Sequence, residues 1–162
     1  MKIKLSPMDI LIEILSLFLL IGTTVYLAAV WTSVPEKIPM HYNFAGEIDR
    51  WGGKGELLFL LAMTWGLFVL VSVIERFPQI WNTGVKVTPE NKGRVYRILK
   101  YMLKTMKLCI MLIFSFLIIH TIRMEALPGW FMPAILLLMF GNMGFWLIKL
   151  YRTARCMTGN GI

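Results

Sequence analysis

The sequence predicts an all-α integral membrane protein, a bundle of four transmembrane helices with both termini in the cytoplasm. Three observations lead there. Hydrophobic residues make up 57% of the 162-residue chain, which leaves too little polar surface to coat a soluble globule. Four apolar runs, Ile10 to Trp31, Leu57 to Ile74, Leu108 to Ile122 and Trp130 to Leu150, approach or exceed the ~20 residues that cross a hydrocarbon core of ~30 Å. Lys and Arg also segregate: with the N-terminus inside, thirteen fall on the cytoplasmic side and only Lys37, Arg50, Lys54 and Arg123 outside, the asymmetry that orients membrane proteins. Topology accounts for the net charge of +8, so no direct nucleic-acid partner is expected.

Residues 1–162 read as one transmembrane domain, with spans near 8–31, 57–75, 101–122 and 129–151. An exterior loop covers 32–56 and a cytoplasmic loop 76–100. Ser6-Pro7-Met8-Asp9 opens the first helix as an N-cap, a first-turn proline and an acid that complements the helix dipole. The apolar run that follows Lys2 and Lys4 exceeds the ~7–15 residues of a signal-peptide core, so the span is expected to be retained. Glu13 lies one turn deeper on the face of Asp9. A carboxylate entering hydrocarbon needs a partner, and a salt bridge to a basic residue near the inner interface is expected in preference to a proton-carrying role.

After the second span, Arg76 to Val87 reads as an irregular loop. Thr88-Pro89-Glu90-Asn91 then announces a helix with Thr88 as N-cap. Along that helix Arg97, Lys100, Lys104 and Lys107 recur at steps of three and four, within an arc of about 80°. The basic face invites anionic headgroups or a cytoplasmic protein partner. A continuous helix from Pro89 to Ile122 is ~51 Å long, so a cytoplasmic extension of the third span is expected. Pro128 and Pro133 fall at or near the first turn of the fourth helix, where a missing N–H costs little. Gly141, Asn142 and Gly144 suit close approach of a neighbouring helix. Cys109 and Cys156 imply no disulfide framework.

The exterior loop carries the densest chemistry. Trp31 and Trp51 suit the membrane interface and are expected to pin the loop to the bundle. Gly46, Gly52, Gly53 and Gly55 permit tight turns or close backbone approach. His41 and Asn43, two apart in an extended segment, share a face. Asp49 and Lys54 are expected to pair across the Gly52-Gly53 turn. Only two histidines exist, His41 and His120, and both fall on the outer side. With Glu47 or Asp49 they form an alternative site for a divalent metal or an acid/base pair, and without it no cofactor is expected.

The run Ile38-Pro39-x-His41-x-Asn43-x-x-Gly46-x-x-Asp49-x-Trp51-Gly52-x-Lys54 resembles a bacterial membrane-protein family named as a domain of unknown function. The same domain forms the N-terminal part of the sporulation-delaying toxin immunity (SdpI-like) proteins. Asn82, the stretch Val85 to Asn91, Tyr96-Arg97 and Lys104 are similar to the cytoplasmic segment of such proteins. The chain departs at Thr83-Gly84, where tyrosine and proline are common, and lacks the immunity proteins' additional spans.

The resemblance implies a multi-span protein of the bacterial cytoplasmic membrane, non-enzymatic and of immunity or signal-receptor type. Its exterior loop would bind a secreted toxic peptide or envelope ligand, and its inner face would dock a cytoplasmic regulator. His41, Asn43, Gly46, Asp49, Trp51, Gly52 and Lys54 are the expected loop organisers and ligand contacts. The alternatives are a metal-dependent membrane enzyme using His41 and His120, and a transporter or transporter subunit; homo-oligomers fit any of the three.

Overall fold

The computed structural model describes residues 5–158, with side chains through Arg155. Lys2, Lys4 and the side chain of Cys156 therefore lie outside the described residues. Four long helices form: α1 (Pro7–Val30), α2 (Gly55–Arg76), α3 (Lys92–Ile122) and α4 (Phe131–Thr158). Each is long and apolar enough to cross a membrane, so the chain is a multi-pass membrane protein.

Local sequence sets the helix ends. Ser6 caps α1 through a full capping box: its hydroxyl accepts from the Asp9 N–H, and the Asp9 carboxylate accepts from the Ser6 N–H at 2.7 Å. The start of α3 lies three residues beyond the expected position. Thr88 and Asn91 bond reciprocally, Thr88 N–H to Asn91 Oδ1 at 2.8 Å and Asn91 N–H to Thr88 Oγ1 at 3.4 Å, which closes a turn before the helix begins. The Thr88 hydroxyl holds the exposed Glu90 carboxyl below the usual range. In the α3–α4 link Met124, one residue past the C-cap Arg123, lies in the left-handed region at φ 57°, the conformation that ends many helices and usually falls to glycine.

The all-α expectation needs one correction, because the loop between α1 and α2 contains a two-stranded antiparallel sheet. Its strands are β1 (Lys37–Tyr42) and β2 (Ile48–Gly53). β1 buries Ile38 and Pro39, and beneath it Leu27, Val34, Leu57 and Ile118 close a core joining the hairpin to α1, α2 and α3. Full burial of Val34 and Ile38 contributes on the order of 1.5–3 kcal/mol each to seating the hairpin.

The helices also depart from a square bundle. α3 is a central post along which α1, α2 and α4 each pack, while α1 and α2 touch each other sparsely and α4 leans almost wholly on α3. Leu20, Phe68 and Met111 meet at mid-height. On the side of the termini, Val95, Ile98, Leu99 and Leu150 pack with Trp81, Val85 and Val87 of the α2–α3 loop, so this end of α3 is clad rather than projecting alone. Among the described residues, Gly141 and Gly144 do not bring another helix within contact of the space a Cβ would fill. A Cβ on Gly144 would find open space, one on Gly141 would meet only Leu137 of its own helix, and Asn142 Oδ1 accepts from Trp146 Nε1 one turn away at 3.2 Å.

Candidate functional site

The hairpin cap is built from residues that each satisfy a neighbour. Asn43 makes the turn: its N–H donates to the Glu47 carbonyl at 2.9 Å, its Oδ1 accepts from the Glu47 N–H at 3.0 Å, and its Nδ2 donates to the Glu47 carboxylate at 2.9 Å. Gly46 closes that turn at φ 85° and docks it on the α3–α4 link, its carbonyl accepting from the Leu127 N–H at 2.8 Å. A Cβ there would lie 2.8 Å from the Leu127 oxygen, so only glycine fits without displacing backbone.

Across the strands, His41 Nδ1 and Asp49 Oδ1 lie 2.6 Å apart. This corrects the expected Asp49–Lys54 pair. Register irregularities on either side of His41 bring it opposite Arg50, and Lys54 turns instead to Glu36 at 2.8 Å and to the Trp31 ring at 5.4 Å. Arg50 pairs with Glu56 at 2.9 Å, and a Cβ at Gly52 would meet that Glu56 carboxylate and Met40. Tyr42 Oη reaches Thr121 Oγ1 at 3.4 Å, and burial pushes the phenol's pKa above its ordinary value.

Trp51 is only half covered by the rest of the protein. It stands on the outward strand and is 51% exposed. Phe44, at the tip of the turn, is 80% exposed. Sequence reading passed over Phe44; the signal was an aromatic inside Asn43-Phe44-Ala45-Gly46, where a turn needs no ring. The edge of β2 away from β1 pairs with no strand, and among the described residues no backbone group of 48–53 bonds outside the hairpin.

The histidines do not come together as a ligand set. His120 is buried, stacked on Phe116 with centroids 5.3 Å apart, and its Nε2 lies 3.0 Å from the Ala126 carbonyl. Among the described residues no group of three His, Cys, Asp or Glu side chains is placed to share a metal ion, so His41, His120, Glu47 and Asp49 do not form the alternative metal site.

A second charged cluster lies at the opposite end of the helices. Lys100 donates to Asp9 at 2.6 Å; Lys104 reaches Glu13 at 2.7 Å and Glu75 at 3.1 Å; Lys107 reaches Glu13 at 2.9 Å and Glu75 at 3.0 Å. The expected outward basic face is thereby corrected: Lys100, Lys104 and Lys107 are buried, and Arg97 alone of the four is exposed. In a helix lying among hydrocarbon the polar stripe turns toward the protein and the apolar stripe toward lipid. Glu13 has the salt-bridge role expected of it.

Residues 18–65 match the family model described as Domain of unknown function (DUF1648). The matched segment runs from mid-α1 through the hairpin into α2 and so contains every residue of the cap except those supplied by α3 and its link to α4. No curated protein and no solved structure matches the chain.

Proposed function

We propose that the chain is a non-enzymatic receptor of immunity or signalling type in the bacterial cytoplasmic membrane, with its hairpin outside and both termini in the cytoplasm. Its ligand is an apolar peptide that lies in extended form along the free edge of β2. Such an edge offers main-chain hydrogen bonds to an added strand, and flanking side chains choose the sequence. Trp51 and Phe44 supply the apolar contacts.

One observation carries this reading. His41, Asn43, Gly46, Asp49 and Lys54 all have partners within the cap, whereas Trp51 is half exposed on a strand whose outer edge pairs with no other. The fold does not need an indole there. The similarity of residues 38–54 to the toxin immunity proteins supports a peptide as the ligand, and the thirteen-to-four distribution of Lys and Arg supports the orientation. With three lysines engaged internally, docking of a cytoplasmic regulator falls to the exposed Lys92, Arg94 and Arg97.

The test is survival of a bacterial host challenged with a panel of secreted membrane-active peptides. The wild-type chain is expected to protect against at least one of them, and Trp51→Ala to lose that protection at an unchanged membrane level. Equal survival of the two, or no protection by the wild type, sinks the reading.

A further inference from the structure

We propose that the groove between α1 and α2 on the side of the termini is a binding site for one anionic phospholipid, held by its phosphate on Arg76. The groove exists because α1 and α2 each pack on α3 and hardly on one another. Its volume is about 690 Å³, within the ~300–1,000 Å³ of small-molecule sites. Asp9, Glu13 and Lys104 lie on its charged part, and Ile10 and Ile14, both more than half exposed, form its apolar wall.

Two physical points select the occupant. Ion pairs at the level of a spanning helix are costly to leave against acyl chains, so the groove calls for something polar at its charged end and apolar along Ile10 and Ile14. That is the shape of a lipid entering from the side. The charge count selects the headgroup: Asp9, Glu13 and Glu75 are matched by Lys100, Lys104 and Lys107, which leaves Arg76. Arg76 lines the same groove, is exposed at the end of α2 and has no carboxylate partner among the described residues. A guanidinium matches the paired oxygens of a phosphodiester. The ends of α1 and α2 put this cation at headgroup depth, where a bound lipid keeps its chains in the bilayer.

The test uses full-length protein in nanodiscs of phosphatidylcholine doped with phosphatidylglycerol, followed by detergent release and native mass spectrometry of retained lipid. One retained phosphatidylglycerol per chain is expected, falling about tenfold in Arg76→Gln, as the loss of a charge-assisted contact implies. Ile14→Trp, which fills the groove and alters no charge, is expected to reduce retention as well. Arg152→Gln, on the same side but outside the groove, is expected to retain the lipid. An equal loss in Arg152→Gln would mean diffuse attraction to the basic surface and would overturn the site. Full retention in either groove variant, or displacement by inorganic phosphate at matched phosphorus, would overturn it too. Because Arg76 and Ile14 are both exposed, monodisperse elution of at least one variant is expected and serves as the folding control.

Discussion

The Lys107 ammonium donates to both carboxylate oxygens of Glu13 at 2.9 Å while its side chain has no exposed surface. The same nitrogen donates to Ser72 Oγ at 3.0 Å and lies 4.9 Å from the centre of the Phe68 ring. One lysine of α3 thus fastens α1 and α2 together.

Removing that charge alone leaves Glu13 and Glu75 to share Lys104, with one negative charge in excess. Lys107→Met is expected to lower stability by ~3–5 kcal/mol, the usual cost of breaking a buried pair from one side. Adding Glu13→Gln to Lys107→Met is expected to recover part of the loss, since the orphaned charge goes with it. Reversible unfolding in mixed micelles measures both, and strictly additive losses would contradict the coupling.

Gly46→Ala is expected to loosen the hairpin from the α3–α4 link. The left-handed backbone costs roughly 1–2 kcal/mol with a Cβ, and the new methyl would press on the Leu127 carbonyl, 2.8 Å away. Hydrogen exchange at the Leu127 amide, whose partner is the Gly46 carbonyl, should accelerate before the helices change. Unaltered exchange at that amide would show that the contact does not hold the cap.

Tyr42 gives a dependence on pH with a fixed sign. Burial raises its folded-state pKa above the ~10 of an unperturbed phenol. Its contribution is therefore complete below the unfolded value and is lost as pH rises through the folded one. Stability of the wild type is expected to fall more steeply above about pH 10 than that of Tyr42→Phe. Parallel curves for the two proteins would refute the assignment.

Orientation can be read directly. In a Cys109→Ala, Cys156→Ser background, Ala45→Cys at the hairpin tip is expected to react with a membrane-impermeant maleimide in intact bacterial cells. Arg155→Cys should react only after lysis. The reverse pattern would invert the topology and, with it, the peptide-receptor reading.

The spans, the Ser6–Asp9 cap and the tie to Glu13 were legible because each depends on residues close in sequence or on hydropathy. The inward turn of the α3 lysines was not. Their carboxylates stand 91 residues earlier at Asp9 and at Glu13, for Lys100 and Lys104 respectively, and a basic stripe by itself does not say whether water or protein covers it. In the cap, the residue types pointed to an organised loop, but the partners depended on strand register. A register irregularity beside His41 was enough to give Asp49 to the histidine and leave Lys54 to Glu36. Trp51 was read as an anchor from its amphipathic ring, which suits an interface and an exposed strand equally well.

The placement of the buried charges also orders events in time. All three carboxylates precede all three lysines along the chain, and Glu13 is made 91 residues before Lys104. At ~5–20 residues per second, that gap is on the order of 5–20 s. Through this interval α1 and then α2 carry carboxylates whose partner ammoniums have not yet been synthesised. The first two helices are therefore an unfinished structure until α3 arrives, and a ribosome stalled before Lys100 leaves a chain that cannot neutralise its own interior.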